Sequence, residues 1–239
     1  MGLLDEVVEI PRKTMVMFFL IDTSGSMAGQ SIGQVNDAMR EVVPDLKDIS
    51  NANADAKIKI AVLSFSSGCE WLTPKPEELD GYKWSNLDTG GVTDLGEACN
   101  ELNSKLDKNA FLQDAVGNYA PVIILITDGA PTDNYMAGIE NLRQNKWFKN
   151  AIKIALGVEG ADKKVLEEFT GNTETAVYLT EKSLLKKLIR FVSVTSSKIG
   201  SKKAGDTTDS AQARQEEIAT EIQEHMEELG EDDSVDEGW

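Results

Sequence analysis

Histidine is almost missing from this chain: one residue in 239, His225, and it sits in the acidic C-terminal stretch. The preceding body therefore offers no imidazole for a zinc cluster or a His-based catalytic triad. Cysteine is nearly as scarce. Cys69 and Cys99 form no CxxC pair, which excludes a disulfide framework and suits two buried thiols in a reducing compartment, with a single disulfide as the alternative. Positive charge is also short, with 24 Lys and Arg against 41 Asp and Glu and a net charge of -17. Residues 205–239 carry thirteen of the acids and one base, so a phosphate backbone is repelled and no nucleic acid is expected as partner. Long apolar runs are absent too. The longest, Met15 to Ile21, is far below the roughly 20 residues that cross a bilayer, and it ends in polar ligand-type residues, not in a cleavage site. No Ser or Thr stands where a myristoylation signal needs one. No membrane association is expected, and the reading is a cytoplasmic protein.

What remains is enough for a core: 41% of residues are hydrophobic, and the length fits one domain of about 200 residues plus a tail. Branched apolar runs at Met15–Ile21, Ile58–Phe65, Val122–Ile126 and Ile152–Val158, with a weaker one at Thr175–Leu179, predict buried strands. Helical patterns fall between and after them at Ile32–Ile49, Leu95–Leu106, Tyr135–Asn145, Lys163–Phe169 and Glu181–Ser196. Strand–helix alternation predicts an α/β fold with a doubly wound, mostly parallel sheet flanked by helices, because parallel neighbours need crossover connections. An antiparallel edge strand is expected around Glu70–Leu72. The domain is placed at 11–198, with an N-terminal extension at 1–10 and a linker and acidic tail at 199–239. That tail is expected to be disordered or partly helical. The plain reading is a solvated tail that aids solubility; its stripe of Ile218, Ile222, Met226 and Leu229 could instead dock on a partner, and its charge could fold back on Lys182, Lys186, Lys187 and Arg190.

Three segments carry the chemistry. Asp22, Ser24 and Ser26 alternate on a turn after the first strand, Thr93 follows Gly90 and Gly91, and Asp128 ends the strand before Gly129. In an open α/β sheet such loops meet at the carboxyl ends of the strands, where ligands bind. Hard divalent cations take oxygen ligands, and Mg2+ prefers near-octahedral geometry, so Asp22, Ser24, Ser26, Thr93 and Asp128 form a candidate metal site for Mg2+, with Mn2+ possible. Each residue also has a plainer use. Ser24 and Ser26 could cap the following helix, Asp128 could brace a glycine turn, and Thr93 with Asp94 could cap the Leu95 helix. Enzyme templates fit poorly. Gly90–Thr93 lacks the Gly-Lys-Ser/Thr ending of a P-loop, and Ser24 stands where a dehalogenase-type phosphotransferase needs its second aspartate. A metal-assisted phosphohydrolase would have to use Asp94 or Asp133 as base.

The Asp-x-Ser-x-Ser, Thr, Asp set resembles the metal-ion-dependent adhesion site of the von Willebrand factor A domain. That resemblance implies that Ser24, Ser26 and Thr93 contact the ion while Asp22 and Asp128 act largely through water. It also implies a binding module without catalytic residues, in which a protein partner offers Glu or Asp to the metal. The runs Asp88–Ala98 and Leu125–Asp133 are similar to the bacterial tellurium-resistance TerY-like branch, which implies a stress-response role with protein kinase or phosphatase partners. The alternative is a scaffold subunit of an ATPase or kinase complex with a structural metal.

Overall fold

A computed structural model describes residues 11–158, 160–202 and 210–232. The extension 1–10, most of the linker and Trp239 lie outside the described residues.

The first strand, β1 (Lys13–Asp22), is the axis of the molecule. It pairs in parallel with β2 (Ala56–Ser66) on one side and β5 (Val122–Thr127) on the other. From Thr14 onward every residue of β1 is buried. Period-two geometry sends Met15, Met17, Phe19 and Ile21 to one apolar cluster and Val16, Phe18 and Leu20 to the other. A strand covered on both faces thus reads as an unbroken apolar run, and each large side chain it buries is worth roughly 1.5–3 kcal/mol.

Beyond β5 lie β6 (Ile152–Gly157) and β7 (Ala176–Tyr178), both parallel. The opposite edge carries two antiparallel strands against β2: β3 (Gly68–Trp71), where the edge strand was expected, and a two-residue β4 (Glu77–Glu78). The sheet order is β3-β2-β1-β5-β6-β7, with β4 beside β2. The mostly parallel, helix-flanked α/β architecture agrees with the sequence reading.

One face is covered by α1 (Gln30–Ala52) and α6 (Leu185–Gly200), the other by α2 (Leu95–Lys105), α3 (Tyr135–Gln144) and α5 (Lys163–Thr170). A short α4 (Lys146–Asn150) was not anticipated. Pro44 lies inside α1 on its exposed side, where the carbonyl it leaves without an amide partner faces water. On the second face α2 and α3 approach closely, because a Cβ on Gly138 would stand 2.6 Å from the Gly96 carbonyl oxygen.

The acidic tail is neither simply solvated nor, along its stripe, left open for an external partner. Residues Ala211–Asp232 form α7, and its stripe docks on the chain's own domain. Ile218 and Ile222 are buried in the α1–α6 cluster, with Met226 packed against it, and Ala219 is buried beside them in sequence. Gln215 acts as an edge clamp: its amide accepts from Lys153 N at 2.9 Å and donates to Lys153 O and Thr175 Oγ1 at 2.7 Å each. The tail does return to α6, but apolar packing holds it. Lys186 and Arg190 pair with Glu41 and Asp45 of α1, and the ion pair that reaches the tail among the described residues is Lys202 with Glu217.

Candidate metal centre

Three loops meet beyond the carboxyl ends of β1 and β5. In the first, Asp22 closes β1 and the chain turns at once, so that Asp22 Oδ1 accepts the Ser24 amide at 2.8 Å. Its other oxygen accepts the Thr127 hydroxyl at 2.6 Å, which ties the ends of the two central strands together. Ser24 Oγ lies 3.0 Å from Ser26 Oγ, and Ser26 Oγ donates to Asp128 Oδ1 at 2.6 Å. The second loop is fixed to the first by backbone bonds from Gly90 N to Thr23 O and from Gly25 N to Gly91 O. It is fixed to the third by Thr132 N donating to Thr93 O and by Thr93 N donating to Thr132 Oγ1.

Gly129 shows where the oxygens converge. A Cβ placed there would lie 3.1 Å from Thr93 Oγ1, 3.5 Å from Ser26 Oγ and 3.7 Å from Asp22 Oδ2. Two oxygens of the first loop and one of the second thus face a single space that Gly129 of the third loop leaves open. Asp22, Ser24, Thr93 and Asp128 are all buried, while Ser26 is exposed at the mouth. All five candidate residues are brought together. The donor set fits a hard cation: two carboxylates, three hydroxyls, and neither thiolate nor imidazole. Among the described residues no group of three or more His, Cys, Asp or Glu could hold a metal, so hydroxyl oxygens must supply the rest of any coordination sphere here.

A family model for the von Willebrand factor type A domain matches residues 17–191. The chain belongs to this family. VWA domains are metal-binding protein-interaction modules. The fold resembles a von Willebrand factor type A protein from Catenulispora acidiphila (15% identity, TM-score 0.54, covering 76% of this chain and 42% of that one). It also resembles the ArnB paralog VWA2 from Sulfolobus acidocaldarius (18%, 0.55, 74% and 44%). A third is proximal thread matrix protein 1 from the mussel byssus, solved with a zinc-occupied metal-ion-dependent adhesion site (17%, 0.52, 76% and 46%). The chain spans less than half the length of each of these three. No curated protein matches it.

The capping uses of Ser24 and Asp94 do not hold in this VWA domain. Ser24 makes no capping bond to the short turn Gly25–Met27, and α1 starts from Gly29 at φ 83°, which has no side chain to cap with. Asp94 makes no side-chain cap on α2 either. That role falls to Asp133 of the third loop, whose carboxylate accepts from Gly96 N and Glu97 N at 3.0 Å each. Asp94 instead accepts from Gly68 N and Thr132 Oγ1. Thr127 and Thr132 escaped the sequence reading, and Asp133 entered it as a candidate base, not as the cap of α2. Thr127 alone left a signal, a hydroxyl one residue before the strand-ending carboxylate.

Burial pushes the Asp22 carboxyl above its ordinary range, against the hydrogen bonds from Thr127 and Ser24, and Asp128 adds repulsion. Burial likewise raises Asp128, opposed by Ser26 and the charge of Lys182. Two carboxylates are therefore held where being ionised is costly, a cost that a cation among them would offset.

Proposed function

We propose that this VWA domain is a metal-dependent protein-binding adaptor, not an enzyme. The convergence of Thr93 Oγ1, Ser26 Oγ and Asp22 Oδ2 on the space beside Gly129 carries the reading. Ser24, Ser26 and Thr93 supply neutral oxygens to Mg2+, or to Mn2+ in its place. Asp22 and Asp128 neutralise the ion through water or directly, and hold the hydroxyls in place through Thr127 and Ser26. A bound ion with mostly neutral ligands supplies Lewis acidity that a partner's Glu or Asp can satisfy. The exposed position of Ser26 supports approach from solvent. Asp94 and Asp133, the residues a phosphohydrolase would need as bases, have their carboxylates committed to backbone amides. On the TerY-like resemblance of its second and third loops, we place the module in a bacterial cytoplasmic stress response of the tellurium-resistance type, with a protein kinase or phosphatase as partner.

Capture of lysate proteins in magnesium, in chelator, and on Asp128→Ala tests this. A set of proteins lost in both controls is expected. The same set retained in all three conditions removes the adhesion-site mechanism.

A further inference from the structure

The end of the sheet away from the three loops carries a site of opposite sign. A cavity of about 370 Å³ opens near the amino ends of β5 and β6, lined by Lys108, Ala120, Lys146, Trp147, Asn150 and Arg214. Half of its lining is basic and none of it acidic, in a chain whose net charge is -17. Three separate segments build the walls. Lys108 follows α2, Lys146, Trp147 and Asn150 belong to α4, and Arg214 stands near the start of α7.

The polar groups here are donors without local work. Neither Lys108 nor Lys146 has an ion-pair partner among the described residues. Asp107, beside Lys108, accepts from Asn109 N at 2.7 Å, and Glu216, close to Arg214, accepts from Gln212 Nε2 at 2.8 Å. Trp71 and Trp84 donate their indole N–H groups to Glu101 and Asn36, whereas that of Trp147 has no acceptor among the described residues. Trp147 is half-buried against the α2–α3 apolar cluster, and its remaining surface belongs to the cavity wall.

A cleft lined by one sign of charge focuses its field and draws in a small counter-ion, while the repulsion of the whole chain falls on long polyanions. Ammonium groups are point-charge partners for phosphate, and an indole offers a stacking face to a planar base. The volume lies in the range of small-molecule sites, about 300–1,000 Å³, and exceeds what a bare phosphate fills.

We propose that this cavity binds a nucleoside monophosphate, its phosphate between Lys108 and Lys146 and its base against Trp147. Arg214 links the site to the tail. The next residue, Gln215, clamps α7 to Lys153 and Thr175, so the wall is complete only while α7 is docked. Bound nucleotide therefore holds the tail in place.

Calorimetric titration of the full chain with AMP, in chelator so that the metal centre takes no part, tests this. Saturable binding is expected, weakened roughly tenfold or more in Lys108→Glu/Lys146→Glu and unchanged in Asp128→Ala. Both lysines are exposed, so the double variant should keep the wild-type circular dichroism spectrum. Amide exchange in α7 should slow when AMP saturates the protein. No saturable binding, or equal affinity in the folded double variant, overturns the proposal. Inorganic phosphate binding as tightly as AMP overturns it in favour of an adventitious ion only. A hexaglutamate peptide that binds more tightly than AMP overturns it in favour of an acidic protein partner. Unchanged α7 exchange at saturation also overturns it, since AMP would then sit elsewhere.

Discussion

The loop end of the sheet and the docking face of α7 are held by opposite means. At the loop end, Asp22, Ser24, Thr93 and Asp128 are buried polar groups. Asp22, Ser24 and Asp128 find hydrogen-bond partners in neighbouring loop atoms. On α7, the buried groups are the apolar Ile218, Ala219 and Ile222 with the single polar Gln215, and the ion pairs nearby are half-buried or exposed. Unsatisfied polar atoms are costly to bury, so at the first site hydrogen bonding fixes both distance and direction. Apolar contact is less directional and its strength grows with area, so the second site tolerates imprecision but not loss of volume.

The two regions should respond differently to substitution. The largest loss of stability is expected at Ile218→Ala, where a fully buried side chain is cut back at a cost of about 3 kcal/mol. Urea unfolding, with hydrogen exchange reporting on α7, would measure it. At the loop end, Gly129→Val should leave the fold in place but fill the shared space. Affinity for Mg2+ is expected to fall at least tenfold, about 1.4 kcal/mol, by direct titration. Gln215→Ala crosses the two categories, a polar clamp on the apolar helix. It strips partners from Lys153 and Thr175 and should cost about 1–2 kcal/mol.

Smaller still, and of opposite sign, is Asp128→Asn. A raised carboxyl binds its proton more readily when folded, so its ionisation weakens folding as pH rises from the ordinary carboxylate range through its raised value. In chelator above that window, the Asn variant should therefore melt above wild type. Magnesium should stabilise wild type and reverse the order. The smallest effect belongs to Lys202→Ala, an exposed pair whose loss should stay within about 0.5 kcal/mol and vanish in high salt.

The parts of this molecule that announce themselves in sequence are those where one physical demand dominates. β1 reads clearly because both its faces are buried, and Asp22, Ser24 and Ser26 stand out as alternating oxygens directly after such a strand, whereas Thr93 and Asp128 gain meaning only beside them. β4 and α4 left too little pattern: two glutamates in one, five residues in the other. The docking of α7 was hidden because its apolar stripe is narrow and its composition acidic. Gln215, the residue that fixes it to the sheet edge, is indistinguishable in sequence from a solvated glutamine. The cap of α2 is illegible in sequence, since a carboxylate contributed from a loop 37 residues away leaves no local trace.

The second loop occupies a particular place among the three. Backbone bonds join it to the first loop through Gly90 and Gly91, and to the third through Thr93. The bonds between the first and third loops run through side chains, Thr127 to Asp22 and Ser26 to Asp128. In mechanical language the second loop is a spacer, and its length sets the aperture between two anchored walls. Inserting or deleting one residue between Asp88 and Gly91 would retune which ionic radius the centre accepts while leaving all five candidate side chains unchanged.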